Sequence, residues 1–298
     1  MVKGIHYCPH CEIKVLAAPD GLCPRCHIEL SSSSRLIRGD GQRHSQSFLK
    51  PNDRSLGDSL SLASAGQNVP TEQYVASANQ DVRADFIRRT YQHLAFAVLG
   101  FIAIEYLLLN SPMAPAMAGL MTGGYAWLVV LAAFMGVSYI ADRWARSTTS
   151  MQTQYIGLVV YVVAEAIIFL PLLLIASMIA PQVIPHAALI TLALFGGLTY
   201  TAFTTKKDFS FLGGILKIGF FVAMGLIVAG ILLGFTLGLL FSGAMIVFAA
   251  VAILYSTSNV LRQYRPEQHV AAALSLFAAV ALLFWYVVQF LLHFAGDD

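Results

Sequence analysis

Apolar and polar positions divide the chain into two regimes. From residue 91 onward seven apolar stretches succeed one another, at 91–110, 123–141, 155–180, 186–204, 213–235, 238–257 and 270–294. Each approaches or exceeds the ~20 residues that a helix needs to cross a bilayer. Polar and apolar residues do not alternate within them, which argues against a transmembrane β-barrel. Before this region no apolar period persists. Ser31 to Ser34 are consecutive, and Gly, Asn, Gln and Ser dominate the stretch after them. Such a stretch cannot bury enough surface to offset its ordering entropy, so 31–78 is expected to be a flexible linker. At the junction, Ser77 to Gln80 fits a capping box. Val82, Phe86 and Thr90 then recur at helical spacing, with Arg83, Arg88 and Arg89 between them. This pattern predicts a short amphipathic helix over 79–90, lying at the membrane surface and running into the first span. The expected fold class is an all-α membrane protein: a seven-helix membrane domain over 79–298, joined by the linker to a small module at 1–30.

Composition sharpens this picture. Of the 298 residues 57% are hydrophobic and only 11% charged, with a mean hydropathy of +0.70. A soluble domain is nearer ~25% charged. Lipid is the natural solvent for such a chain, which argues against a soluble enzyme and a disordered chain alike. The net charge of +2 carries no nucleic-acid footprint. Of the 18 basic residues, 11 lie before Tyr91. Arg83, Arg88 and Arg89 precede the first span, Arg143 and Arg146 come after the second, and Lys206 and Lys207 after the fourth. Lys217 lies just inside the fifth span, and Arg262 and Arg265 come after the sixth. All fall on one side of a seven-span arrangement. The positive-inside rule then places the N-terminus in the cytoplasm and the C-terminus outside. The cell membrane is the expected location, rather than an organelle membrane.

All four cysteines lie in the first 26 residues, as Cys8-Pro9-His10-Cys11 and Cys23-Pro24-Arg25-Cys26. Each C-x-x-C can make a tight turn that aims two sulfurs at one point, and four thiolates complete the closed tetrahedral set of structural zinc. The prolines pre-set φ for such turns. The short spacing between the pairs predicts one hairpin or loop there. The expected module is a zinc-ribbon-like head whose folding energy is its metal. Two disulfides compete with this reading but need an oxidising compartment, and nothing before Cys8 resembles the apolar core of a signal peptide. Cys26-His27 also completes a haem-attachment spacing, which would leave Cys8 and Cys11 without a role. His10 and His27 are expected outside the ligand set.

Polar groups inside spans are the candidates for chemistry. Glu165 lies ten residues into the third span, ~15 Å deep at 1.5 Å per residue, and an acid at that depth is a functional hypothesis by default. The competing view is a protonated glutamic acid that bonds a neighbouring helix as packing glue. Pro171 displaces the carbonyl of Ile167 from its hydrogen bond and frees an acceptor nearby. Glu105 is expected to reach the outer interface. His93, His186, His269 and His293 lie near span ends and are expected to be wet. Gly225, Gly230 and Gly234 would allow close helix contact in the fifth span. There is no H-E-x-x-H, no G-x-S-x-G and no phosphate loop, so no enzymatic constellation is expected.

Several segments resemble the Bax inhibitor family of seven-span proteins. They are Thr204-Thr-Lys-Lys-Asp-Phe-Ser-Phe-Leu-Gly-Gly214, Val82-Arg-Ala-Asp-Phe-Ile-Arg-Arg-Thr-Tyr91, and Tyr161-Val-Val-Ala-Glu-Ala166, where the family usually has Gly at the last position. Ile253-Leu-Tyr-Ser-Thr257 and Ala273-Leu-Ser-Leu-Phe277 are similar to the end of its sixth span and the start of its seventh. The resemblance covers 82–298 and leaves the cysteine head outside. It implies calcium leak across a membrane and restraint of cell death. It also implies a pH-dependent latch of two aspartates, but Ser256 and Ala279 stand at those positions, and Leu282 replaces the family's next Asn. The latch is therefore expected to be missing.

Together these features point to a non-enzymatic protein that conducts or regulates small cations, calcium foremost, with Glu165 as its polar site. The alternative is a non-conducting scaffold that meets a protein partner through its zinc head.

Overall fold

The computed structural model describes residues 5–8, 13–16, 74–123, 125–147, 150–205 and 207–295. The chain forms two units, Met1–Gln67 and Asn68–Asp298. In the first, β1 (Ile5–Cys8) pairs antiparallel with β2 (Ile13–Leu16), with Cys8 opposite Ile13. The hairpin or loop expected between the two C-x-x-C pairs falls largely outside the described residues. Cys11, Cys23 and Cys26 lie outside the described residues, as do residues 31–73 of the expected linker.

The second unit is helical: α1 (Gln80–Leu109), α2 (Ala114–Thr122), α3 (Ala126–Ala145), α4 (Met151–Ile179), α5 (Val183–Thr204), α6 (Leu212–Leu233), α7 (Leu239–Arg262) and α8 (His269–Ala295). All but α2 are long and apolar enough to cross a membrane, giving seven candidate spans; each lies within about five residues of its apolar stretch except the first, whose helix begins at Gln80, ahead of the stretch at 91–110. This is a multi-pass membrane protein that needs a lipid bilayer. The amphipathic segment at 79–90 is helical and runs without a break into the first span as the first part of α1. The capping box does not form. Ser77 sits in a 3-10 turn (Val75–Ser77) and its Oγ donates to the Tyr74 carbonyl at 2.9 Å. The short helix α2 has no span-length pattern to announce it; its signal is Pro115 in its first turn.

Helices α4 and α8 form the centre, each with more than half of its apolar stretch buried. They pack against each other and against α1. Aromatic rings fill the seam: Phe101 of α1 lies 5.1 Å from Phe169 of α4 and 6.0 Å from Phe277 of α8, and Phe169 meets Trp285 edge-on at 4.9 Å. α4 runs unbroken through the buried Pro171. α3 lies so close to α4 that a Cβ added at Gly157 would stand 2.6 Å from the Ala141 carbonyl oxygen and 2.7 Å from the Ala145 nitrogen. In the fifth span, Gly230 is buried with the Phe235 carbonyl oxygen 3.2 Å from where its Cβ would stand. Gly234 adopts φ +74° and ends α6 in the left-handed conformation that suits glycine, and the space beside Gly225 is open. Large side chains such as Phe221, Leu233 and Leu240 point outward, as a lipid-facing surface requires.

One end of the bundle gathers several polar contacts between elements. Val75 N donates to the Tyr264 carbonyl at 2.9 Å, and the Arg146 guanidinium stands 5.5 Å from the Tyr264 ring centre. Arg262 Nη2 donates to the Lys207 carbonyl at 3.3 Å. These contacts tie the start of α1, the ends of α3 and α7 and the α5–α6 loop together, so the span-flanking arginines collect at this basic end.

Candidate functional site

Two carboxylates enter the helical core. The buried face of α1 is the stripe Phe86, Thr90, Leu94, Ala97, Phe101 and Glu105, at spacings of three and four. Glu105 is its last member, one turn beyond Phe101. It is 4% exposed, and neither carboxylate oxygen has a hydrogen-bond partner among the described residues. It is enclosed by neighbouring helices, because the stripe that carries it faces the packed interior. Glu165 lies mid-way along α4 and is 6% exposed. Its Oε1 accepts a 3.3 Å hydrogen bond from the Tyr161 hydroxyl, one turn earlier on the same helix. Tyr161 is wedged between Phe134 of α3, at 6.2 Å, and Phe277 of α8, at 6.1 Å. Three helices thus hold the ring that presents its hydroxyl to Glu165.

A polar clasp forms at the basic end. Asp208, in the loop between α5 and α6, accepts the Ser210 N–H at 2.9 Å and the Ser258 hydroxyl of α7 at 3.5 Å. Phe209 N donates to Ser258 Oγ at 3.2 Å, and Arg262 Nε lies 4.0 Å from Asp208 Oδ1. The Ser210 N–H, supported by Arg262 and Ser258, holds the Asp208 carboxyl below the usual carboxylate range. The start of α6 leans on α7, where a Cβ at Gly213 would stand 2.9 Å from the Tyr255 ring. The Thr204–Gly214 motif is therefore a loop fastened to the end of the sixth span.

Of the residues singled out in sequence, Glu165 lies at depth in the core. Ser256 is half-buried on α7 and Ala279 is buried on α8, with no carboxylate at either place. Instead, Asp208 brings an acid from a loop to Ser258, toward the same end of α7 as Ser256. Among the described residues no three His, Cys, Asp or Glu side chains are grouped to hold a metal ion. His186 and His293 are exposed and His93 is half-buried, but His269 is 3% exposed and not wet. Its position at a span's first residue hid this, because the 3-10 turn at Pro266–Gln268 folds over the helix start. The signal for Glu105 was in the sequence, since the helical spacing of Phe86 and Thr90 continues to it.

A seven-span helical bundle with acids in its core and a clasped basic end defines the class. The chain belongs to the Bax inhibitor family: the family model described as "Inhibitor of apoptosis-promoting Bax1" matches residues 83–296. Bax inhibitor 1 of Schizosaccharomyces pombe is 27% identical over 79% of this chain and 88% of its own length. Protein LIFEGUARD 4 of Arabidopsis thaliana is 29% identical over 68% of this chain and 83% of its own. An uncharacterized protein of Pseudomonas aeruginosa is 28% identical over 57% of this chain and 76% of its own.

Proposed function

We propose that this chain is a non-enzymatic membrane protein that conducts or regulates small cations, calcium foremost, with Glu165 as the polar site along the route. The observation that carries the reading is the partner of Glu165. An acid retained as packing glue should bond a neighbouring helix, yet the hydrogen bond of Glu165 is to Tyr161 of its own helix. A buried acid that joins no two helices is a cost to the fold without a structural return. Glu105, with both oxygens unpartnered among the described residues, adds a second such cost in the same core. The names of relatives such as Bax inhibitor 1 support restraint of cell death as the setting where this chain's host has that process.

The Cys8, Cys11, Cys23 and Cys26 head is proposed to hold one structural Zn2+, on the chemistry of two C-x-x-C pairs. The span-flanking arginines support an N-terminus in the cytoplasm and a C-terminus outside, in a cell membrane. The test of function is calcium flux from full-length protein in liposomes, with and without Glu165→Gln. Flux that Glu165→Gln reduces at least about tenfold supports the reading. Flux that ignores the substitution removes Glu165 from the route, and absence of flux in the unsubstituted protein favours a scaffold acting through its head.

A further inference from the structure

Two imidazoles face each other where α1 and α8 come together at the basic end. His93 of α1 and His269, the first residue of α8, have ring centroids 4.9 Å apart at an angle of 57°. His93 Nδ1 lies 2.7 Å from the Arg89 carbonyl oxygen, and Nε2 lies 3.0 Å from the Tyr155 hydroxyl of α4. A carbonyl only accepts, so Nδ1 carries the proton, and the neutral ring accepts from Tyr155 at Nε2. Both nitrogens of His93 are satisfied without a positive charge. His269 is 3% exposed, and its Nδ1 has no hydrogen-bond partner among the described residues. Beside it lies a cleft of about 260 Å³, lined by Val82, Asp85, Phe86, Arg89, Glu267 and His269 among others.

The charges around the pair decide what a proton does there. Asp85 and Arg89 of α1 are paired at 2.8 Å, and Glu267 of the 3-10 turn faces the cleft. One added proton meets Asp85 and Glu267 as well as Arg89, so the site can take it. A second proton places two cations within one ring contact of each other, with Arg89 near both. It also sets a cation at the positive, N-terminal end of α8. His269 is 3% exposed, so water screens that charge only from the side of the cleft.

We propose that the His93–His269 contact is an acid-released clasp: neutral rings hold the start of α8 against α1 and Tyr155, and protonation of both drives them apart and opens the adjoining cleft. The device uses none of the buried acids of the proposed cation route, so it stands or falls separately from that reading. It also differs from an aspartate pair, because imidazoles gain charge in acid where carboxylates lose it.

Hydrogen exchange of the full-length protein in lipid nanodiscs, read on a peptide covering Arg265–Leu276 and corrected for intrinsic rates, tests it. Val270 to Ala273 are fully buried, so exchange there reports release of the helix start. The unsubstituted protein should exchange about tenfold faster at pH 5.5 than at pH 7.5. His93→Gln and His269→Gln should each abolish that acceleration, because one neutral ring removes the repulsion. His93 is only half-buried, so its variant decides alone if His269→Gln fails to fold. Absence of acceleration in the unsubstituted protein, or its persistence in either folded variant, overturns the proposal.

Discussion

Asp208 shows how a single exposed carboxylate fixes a loop that sequence reading could locate but not explain. It accepts the Ser210 N–H and joins Ser258 and Arg262. Its pKa in the folded chain is lowered below the ordinary aspartate value of about 3.9. A group so shifted contributes stability above its unfolded pKa and loses it as pH falls through the folded one, so the contribution is complete at neutral pH and fades in acid below pH ~4. Asp208→Ala should therefore speed amide exchange at Phe209 and Ser210 several-fold at pH 7, while Asp208→Asn, which keeps an acceptor for Ser210 N–H, should have a smaller effect. Equal effects of the two would mean that the charge near Arg262, and not the turn, sets the loop. The motif's residue types were plain in the sequence. Their partner Ser258 lies 50 positions away, and no local pattern announces a pairing at that range. Glu105 is the opposite case: carrying the helical spacing of Phe86 and Thr90 on along α1 places it inside, and its nearness to the span end masked it.

At the scale of elements, one tight backbone contact between helices lies at a glycine outside the fifth span. Gly157 of α4 sits against the backbone of Ala141 and Ala145 of α3, and both alanines are fully buried. Small residues permit this approach, and in lipid such close packing is a main source of helix association. A methyl group at 157 has backbone on its far side and no flexible atom to displace, so the helices must separate. Gly157→Ala should destabilise the folded bundle by about 1–3 kcal/mol. Gly225→Ala, facing open space on α6, should be neutral or stabilise by up to about 1 kcal/mol through helix propensity. Thermal unfolding in one detergent compares the two, and an equal loss at both positions would contradict the contact. The spans themselves were legible because twenty apolar residues have few alternatives in a bilayer. Which faces meet was not, because a span that is apolar all round carries no stripe; α2 escaped notice because its nine residues are too few for a span.

For the whole molecule, the contacts that tie Tyr264 to Val75 and Arg146, and Arg262 to Lys207, bring the span-flanking cations to one end. That end should be cytoplasmic. A reporter active only outside the cytoplasm, fused after Asp298, should be active; an inactive reporter on an intact fusion would reverse the orientation. The same view of the bundle bears on the missing aspartates. Ser256 lies on α7 and Ala279 on α8, and these two helices pack along each other. Neither residue can hold a proton, so this pair gives the native fold no pH dependence. Two carboxylates restored there could not both ionise at low cost across a packed interface, so the folded state would keep a proton that the unfolded chain releases near pH ~4. Linkage sets the sign: the folded state binds more protons, so stability is retained in acid and falls as pH rises. Ser256→Asp with Ala279→Asp should therefore lose thermal stability between pH 5 and pH 8 relative to the parent, by about 1.4 kcal/mol for each unit by which the shared proton is held more tightly. The comparison belongs in a His93→Gln background, so that any response of the imidazole pair is removed from both arms. Each single aspartate should lose less than the pair, since one acid alone has no like-charged partner. A double variant whose pH dependence equals the sum of the two singles would show that positions 256 and 279 do not face each other, and the inferred correspondence with the family's latch would be wrong.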